Sequence, residues 1–282
     1  MQPAVAKIDA HPRIVGILNV TPDSFSDGGR YTSPDEAVGY GVQMAREGAD
    51  VIDVGGESTR PGAEPVPAAE QKRRILEVIS GLRAELPTNV VISVDTTLAN
   101  VAEAAIARGA TIINDVSAAM RDPRMLDVAA TSGARLVLMH TLGTAETMHA
   151  PPRYDDVVTE VSGYLLERAR RAEAARVEPD QLILDPGIGF GKGRVHNLTL
   201  LANLAHFVGL GYPVMLGASR KGFMGRLLDV SRPADLVPAT CATTVLGVAA
   251  GVSMFRVHDV AENRQAADVA WAVAQRGGDS VK

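Results

Sequence analysis

The chain has 282 residues, of which 46% are hydrophobic, and it contains 27 glycines and 16 prolines. This length is close to the ~250 residues of a single (β/α)8 barrel, and the apolar content excludes a mainly disordered chain. A net charge of −5 and an aromatic content of 4% argue against nucleic-acid binding, which usually needs a basic face or stacking aromatic side chains.

The first twelve residues contain no apolar segment typical of a secretory signal, so we expect a cytoplasmic protein. The uncharged run 236–255 has the length of a membrane span. However, it contains Pro238, three threonines and two glycines, and it divides into a helical pattern followed by a strand pattern. We therefore expect no association with a membrane.

Eight short apolar runs, rich in β-branched residues, predict β-strands at 13–19, 50–54, 89–94, 110–113, 134–139, 181–184, 212–217 and 253–257. Helical patterns lie near 34–48, 67–85, 98–108, 123–132, 154–176, 196–209, 236–250 and 259–275. On one of them, the arginine-rich run 168–171 is expected to face solvent. Alternation of strand and helix predicts parallel strands with right-handed crossovers.

Eight such units favour an α/β fold of the (β/α)8 TIM-barrel type, with an open doubly wound sheet as the alternative. We expect a single catalytic domain over residues 13–276, with an N-terminal tail at 1–12 and a C-terminal tail at 277–282. No shift in composition suggests a second domain.

Each predicted strand ends in polar residues. In chain order, the endings are Asn19, Asp53, Asp95, Asn114 with Asp115, Met139 with His140, Asp185, Ser219 to Lys221, and Arg256 with His258. The carboxyl ends of the strands of a barrel meet at one face, where the loops build the active site. The eight endings together therefore predict a catalytic mouth.

These endings resemble the dihydropteroate synthase family of folate biosynthesis. The motifs that carry the resemblance are 16–29, 53–62, 93–96, 114–116, 138–140, 185–192, 217–221 and 256–259. They follow the family's order, so the resemblance covers nearly the whole chain. It implies a transferase that joins 4-aminobenzoate to 6-hydroxymethyl-7,8-dihydropterin diphosphate, giving 7,8-dihydropteroate and diphosphate, and that sulfonamide inhibitors block at the aminobenzoate site.

The resemblance also implies roles for individual residues. The catalytic set is Asp95, Asp185, Lys221, Arg256 and His258. The pterin contacts are Asp95, Asn114, Met139, Asp185 and Lys221. The diphosphate contacts are Asn19, Arg256 and His258, with Mg²⁺ as the cofactor and Asn19 as its ligand. The aminobenzoate contacts and closing loops are Phe25, Ser26, Asp27, Thr59, Arg60, Pro61, Phe190, Lys221 and Gly222.

The residue types fit this chemistry. A carboxylate at a strand end can accept two N–H groups of a pterin, although Asp95 has helix capping as an alternative role. Arg256 and His258 alternate along one strand, so both side chains can face a diphosphate. Cleavage of the carbon–oxygen bond leaves a cation delocalised into the pterin ring, so we hypothesise an SN1-like route with no nucleophilic side chain.

Two positions depart from the pattern of the family. Gly222 stands where many members have serine, and residues 141–144 read Thr-Leu-Gly-Thr where relatives often have Met-Gln-Gly. The alternatives are a non-catalytic pterin-binding relative, a pterin-dependent methyl-transfer domain and a sugar-phosphate isomerase barrel. The resemblance further implies a homodimer, for which the apolar segment 236–250 is a candidate surface.

Overall fold

The computed structural model describes residues 11–20, 33–57, 65–142 and 152–276. The strands are β1 (Arg13–Asn19), β2 (Val51–Gly55), β3 (Val91–Asp95), β4 (Ile112–Asp115), β5 (Arg135–Met139), β6 (Leu182–Asp185), β7 (Met215–Leu216) and β8 (Met254–Val257). The α-helices are α1 (Pro34–Arg46), α2 (Ala68–Glu85), α3 (Ala99–Ile106), α4 (Met125–Ser132), α5 (Val157–Ala174), α6 (Arg194–Ala202), α7 (Leu204–Val208), α8 (Gly222–Leu228), α9 (Val237–Ala250) and α10 (Val260–Arg276). Most of both expected tails, 1–10 and 277–282, lies outside the described residues.

The strands form one parallel sheet in the order β6-β5-β4-β3-β2-β1-β8-β7. The two ends of this sheet meet, because Leu184 of β6 forms a bridge with Val214 just before β7. The amide of Leu184 also donates to the carbonyl of Pro213 at 2.9 Å. The sheet therefore closes, which confirms the predicted TIM barrel and excludes the open doubly wound alternative.

Apolar side chains fill the inside of the barrel in a layer of buried residues. They are Val15, Val51, Ile112, Val137, Ile183, Met215 and Met254. Side chains on a strand alternate between its two faces, so a residue two positions further along points to the same side. Two positions after Ile112, Ile183 and Met254 come Asn114, Asp185 and Arg256. The predicted site residues therefore lie directly above the apolar layer, towards the carboxyl ends of the strands.

The predicted strands and helices agree with the structure except around β7 and the helices that flank it. Strand β7 has two residues rather than the six of 212–217, and Pro213, which lacks an N–H group, precedes it. The helix predicted at 196–209 is divided at Asn203. Helix α8 was not predicted, because Gly222 and Gly225 make its seven residues a weak helical pattern.

The expectation that the run 168–171 faces solvent is wrong for Arg168. Its side chain is buried, and its Nε donates to the carbonyl of Ala118 at 2.8 Å. The carbonyl needs a donor there because Ala118, which has a positive φ of 51° in the loop after β4, is fully buried. Arg168 therefore connects α5 to the loop after β4, at the carboxyl end of the barrel.

One stretch of the described chain, Pro233–Ala250, has the length and composition of a membrane span, with a mean hydropathy of 1.2 over 18 residues. Its position in the fold explains the apolar sequence. Gly247 of α9 lies against Phe255 of β8, and Thr244 donates to the Oδ1 of Asn263 in α10 at 2.7 Å. The stretch thus packs as an outer helix of the barrel.

Candidate active site

A cavity of about 680 Å³ opens at the carboxyl ends of the strands. Nine of the residues predicted from the sequence line it: Asn19, Asn114, Met139, Asp185, Phe190, Lys221, Gly222, Arg256 and His258. Asp95 is buried behind this lining, against Arg256. The predicted loop residues Phe25, Ser26, Asp27, Thr59, Arg60 and Pro61 lie outside the described residues.

Arg256 is held by two carboxylates at the bottom of the cavity. Its Nε donates to the Oδ2 of Asp53 at 2.7 Å, and its Nη2 donates to the Oδ2 of Asp95 at 2.6 Å. Burial opposes the charge of the guanidinium, but the two carboxylates outweigh burial and raise the pKa of Arg256. Burial also raises the pKa of Asp95 to about 7, although Arg256 offsets part of this effect. Asp95 does not cap a helix, because α3 begins four residues later with Leu98 as its N-cap.

Asp53 connects Arg256 to Asn114. The same Oδ2 that accepts from Arg256 also accepts from the Nδ2 of Asn114 at 2.9 Å. The other oxygen, Oδ1, is buried and has no hydrogen-bond partner among the described residues. Since the amide nitrogen of Asn114 is engaged by Asp53, its oxygen is the atom left to accept from a ligand.

Asp185 ends β6 at the wall of the cavity. Its Oδ1 accepts from the backbone N–H of Gly187 at 2.7 Å, which fixes the carboxylate and leaves Oδ2 without a hydrogen bond to a described residue. Burial raises the pKa of Asp185 to about 6, while Gly187, Lys221 and Lys192 counteract it. At neutral pH the group is an ionised acceptor with one oxygen available to a ligand.

Lys221 and Phe190 face each other across the cavity. The Nζ of Lys221 lies 4.1 Å from the centre of the Phe190 ring, a cation–π contact. The stem of Lys221 passes so close to Gly189 that a Cβ there would lie 2.9 Å from its Cδ, and Gly189 has a φ of +86°. Burial, followed by repulsion from Arg256, lowers the pKa of Lys221 to about 8.

The loop after β6 is held from inside by Lys192. Its Nζ donates to the carbonyls of Gly187 and Phe190 at 2.9 and 3.0 Å and to the Nδ1 of His140 at 2.9 Å. Burial, together with the charge of Lys192, lowers the pKa of His140 to about 3, so its ring is neutral and Nδ1 can accept. Burial also lowers the pKa of Lys192 itself to about 7. Lys192 thus fixes the segment that carries both Asp185 and Phe190.

Two consecutive residues after β7 are paired with two consecutive residues after β8. The Oγ of Ser219 lies 2.9 Å from the Nδ1 of His258 and accepts from its backbone N–H at 3.1 Å. Arg220 binds both carboxylate oxygens of Asp259, and its own backbone has a φ of 53°, which is costly for a residue with a side chain. The contact with Ser219 fixes the orientation of the His258 ring on the cavity, where an imidazole N–H group can bind an anion.

The whole chain is similar to proteins of one kind. A family model described as pterin binding enzyme matches residues 15–258. The dihydropteroate synthase of Bacillus subtilis (strain 168) is 45% identical over 266 residues, which cover 94% of this chain and 90% of that protein. This chain belongs to the dihydropteroate synthase family.

Solved structures of this family have the same fold. The Yersinia pestis dihydropteroate synthase, solved with a sulfonamide drug complex, superposes with a TM-score of 0.88 at 39% identity, covering 93% of this chain and 94% of that chain. The Xanthomonas albilineans dihydropteroate synthase, solved with 4-aminobenzoic acid, superposes with a TM-score of 0.87 at 46% identity, covering 94% of each chain. The resemblance stated from the motifs is therefore confirmed, and the chain is a transferase of folate biosynthesis.

The resemblance to dihydropteroate synthases implies a Mg²⁺ ion at this site. The described residues contain no group of three or more His, Cys, Asp or Glu side chains placed to hold a metal ion. The cavity lining does offer the amide oxygen of Asn19, on the same cavity as Arg256 and His258. This donor set fits a Mg²⁺ that is bound mainly through diphosphate oxygens and water, as Mg²⁺ prefers.

Four residues of this dihydropteroate synthase site were not predicted as site residues: Asp53, Lys192, Ser219 and Arg220. Asp53, Lys192 and Ser219 contact predicted site residues, and Arg220 pairs with Asp259, which is adjacent to the predicted His258. For Asp53, Ser219 and Arg220 a signal was present in the sequence, since all three lie in the polar strand endings, and Lys192 is the last residue of the motif 185–192. The role of Lys192 was missed because its partners include backbone carbonyls brought together by the fold of the loop.

Proposed function

We propose that this chain condenses 6-hydroxymethyl-7,8-dihydropterin diphosphate with 4-aminobenzoate, giving 7,8-dihydropteroate and diphosphate. The observation that carries the proposal is the single cavity that combines Asp185, the Lys221–Phe190 pair and Arg256. These groups suit, respectively, the N–H edge of a pterin, an aromatic amine and a diphosphate.

On the pterin side, the available oxygens of Asp185 and Asn114 accept N–H groups of the ring, and Met139 packs beside it. Asp95 contributes negative charge from behind Arg256 and becomes a direct contact if Arg256 turns towards the diphosphate. Lys221, already above the Phe190 ring, lies between the positions of the two substrates. This arrangement is supported by the shared cavity lining and by the 2.6 Å contact between Arg256 and Asp95.

On the leaving-group side, Arg256 and His258 bind the diphosphate. Asn19 would hold a Mg²⁺ that accompanies it, and this ion would neutralise charge on the phosphate oxygens. The positions of these three side chains on one cavity support the assignment.

We propose an SN1-like course for the reaction. The bond between the pterin methylene carbon and the diphosphate oxygen breaks, and both electrons leave with the diphosphate. The buried carboxylates Asp95 and Asp185 stabilise the positive charge that develops on the pterin, since they are fixed before the reaction and surrounded by little water. The amine nitrogen of aminobenzoate then forms the new bond and loses a proton.

The aminobenzoate ring is placed against Phe190, with Lys221 and Gly222 at its ends, and sulfonamides compete for this position. Phe25, Ser26, Asp27, Thr59, Arg60 and Pro61 are proposed to close over it from the first two loops. A ring held against Phe190 is supported by the shared lining of the cavity, which brings Phe190, Lys221 and Gly222 together.

The other candidate functions account for fewer of the observed residues. A methyl-transfer domain has no use for Arg256 and His258 on a pterin cavity. A non-catalytic relative would be expected to lack one of the groups that bind substrate, whereas Asn19, Asp185 and Lys221 are all present. A sugar-phosphate isomerase needs a Glu or Lys base, and it has no use for two buried carboxylates beside an arginine.

The test is to incubate the protein with the pterin diphosphate, 4-aminobenzoate and Mg²⁺ and to measure diphosphate and dihydropteroate together. We expect equal amounts of both products, and slow release of diphosphate when aminobenzoate is omitted. Lys221→Ala and Arg256→Ala should abolish turnover while leaving the circular dichroism spectrum unchanged. Binding of the pterin diphosphate without any joined product would instead indicate a non-catalytic relative.

We also propose that the protein is a cytoplasmic homodimer. Exposed apolar side chains on the outer helices support a dimer: Val245 and Leu246 on α9, and Val269 and Val273 on α10, the last two 66% and 67% exposed. The single cysteine, which cannot form an intrachain disulfide, suits a reducing compartment. Light scattering after size exclusion and cell fractionation test the two statements. Val273→Glu should produce monomers if α10 is part of the interface.

A further inference from the structure

We propose that Arg226 is a specificity-determining residue that binds the carboxylate of the second substrate. The inference rests on the proposed function, and it assigns to this chain's own arginine the recognition of an anionic arylamine. Arg226 lies on α8, one helical turn after Gly222. It lines the cavity together with Lys221 and Phe190.

Gly222 and the guanidinium of Arg226 lie next to each other on the lining of the cavity. A Cβ at Gly222 would have as its nearest neighbour an Nη1 of Arg226, at 3.5 Å. A second pocket of about 350 Å³ adjoins the first and is lined by the same two residues. The guanidinium therefore stands at the rim, beside a position that has no side chain of its own.

The other cations on this cavity are already engaged. Arg220 is paired with Asp259, and Arg256 is paired with Asp53 and Asp95. Lys192 is surrounded by backbone carbonyls inside the loop after β6.

Lys221 is half-buried, and its Nζ already lies 4.1 Å from the centre of the Phe190 ring. Arg226, in contrast, has no hydrogen bond or ion pair with any residue in the described parts of the chain. Among the positively charged side chains that line the cavity, the guanidinium of Arg226 is therefore the one available to bind an anionic ligand.

The shape of the substrate places its carboxylate near this group. In 4-aminobenzoate the amine and the carboxylate stand at opposite ends of a rigid ring. The amine must reach the reacting carbon beside Asp185 and Arg256, at the inner end of the cavity, so the carboxylate points to the rim. A guanidinium offers a planar pair of donors that matches a carboxylate. A sulfonamide has sulfonyl oxygens in place of the carboxylate, so this contact is weaker with a neutral sulfonamide than with the natural substrate.

The test compares the wild type with Arg226→Gln and Arg226→Lys in steady-state kinetics, using 4-aminobenzoate and the neutral analogue 4-aminobenzamide. For Arg226→Gln we expect the KM for 4-aminobenzoate to rise about tenfold and kcat to change by less than about twofold. The KM for the pterin diphosphate should stay unchanged. Constants for 4-aminobenzamide, measured as an alternative substrate or as a competitive inhibitor, should also be unaffected, and Arg226→Lys should recover part of the loss.

The matched control is Arg232→Gln, which removes the same charge from an exposed arginine that pairs with Asp235. It should leave all constants unchanged. An unchanged KM for 4-aminobenzoate in Arg226→Gln, or an equal rise for the amide, overturns the assignment. Wild-type protein that forms no dihydropteroate refutes the proposed function instead, so the two failures are distinct.

Discussion

Replacing Asp53 by asparagine tests whether a residue that no substrate needs to touch controls the site. The side chains have nearly the same shape, so Asp53→Asn removes one negative charge without creating a cavity. In the wild type, a single oxygen of Asp53 accepts from Arg256 at 2.7 Å and from Asn114 at 2.9 Å. Asparagine keeps one acceptor oxygen there, but it leaves Arg256 with Asp95 as its one charged partner.

The size of the effect follows from these contacts. A hydrogen bond to a charged group contributes about 1.5–3 kcal/mol, and loss of both charged partners of a buried ion costs more. Because Asp95 remains, we expect the free energy of unfolding to fall by about 2 kcal/mol. A similar loss in the positioning of Arg256 and Asn114 corresponds to a decrease in kcat/KM of roughly 30-fold.

The assay combines urea denaturation, calorimetric binding of the pterin diphosphate and steady-state turnover. The matched control is Asp50→Asn, since Asp50 immediately precedes β2, at the opposite end of the barrel from Asp53. Asp50 accepts from the amide of Ile14 at 2.7 Å and from Arg264 at 3.3 Å. Its replacement should lower stability and leave kcat/KM unchanged. Wild-type turnover and wild-type affinity for the pterin diphosphate in Asp53→Asn would refute the reasoning.

Three further outcomes are expected. Gly187→Ala should abolish binding of the pterin diphosphate in calorimetry, because φ is +68° and a Cβ would overlap the carbonyl oxygen of His140; normal binding would contradict this. In the folded protein the pKa of Lys192 is lowered from 10.5 to about 7. The free-energy cost of burying its charge is therefore largest below pH 7 and vanishes above pH 10.5. In urea titrations, the stability of the wild type relative to Lys192→Met should increase as the pH rises from 7 to 10.5. The pH profile of kcat/KM should rise between about pH 6 and pH 7, as Asp185 and Asp95 ionise, and fall near pH 8, as Lys221 loses its proton. Lys221→Arg should shift or remove the alkaline limb, and an unmoved limb would show that another group titrates there.

The barrel could be predicted because its signal is local. Each strand is a short apolar run with a polar ending, and the alternation of side chains places Ile112 in the apolar layer and Asn114 on the cavity. The same regularity failed at β7, where Pro213 limits pairing and two residues suffice to continue the sheet. It also failed at α8, because its glycines weaken the helical pattern of the segment that carries Arg226.

The supporting residues of the site depend on contacts that are distant in sequence. Asp53 and Arg256 are 203 positions apart, and His140 and Lys192 are 52 positions apart. A pattern of residue types shows that a carboxylate lies in β2, but it does not show which positively charged side chain pairs with it. Arg168 illustrates the same limit, because its burial depends on a free carbonyl at Ala118, in a different loop.

The paired loops after β7 and β8 have a consequence for drug resistance. Ser219 is hydrogen-bonded to His258, and Arg220 is paired with Asp259. A change that moves the segment before Lys221 therefore also displaces His258, which is proposed to bind the leaving diphosphate. A mutation that excludes a sulfonamide by moving this segment would therefore also slow turnover of the natural substrate. Gly222 lies just beyond the pairing and has no side chain, so a substitution there can change the aminobenzoate end of the cavity without disturbing the paired loops. Selection by sulfonamides should accumulate changes there before it reaches Ser219 or Arg220.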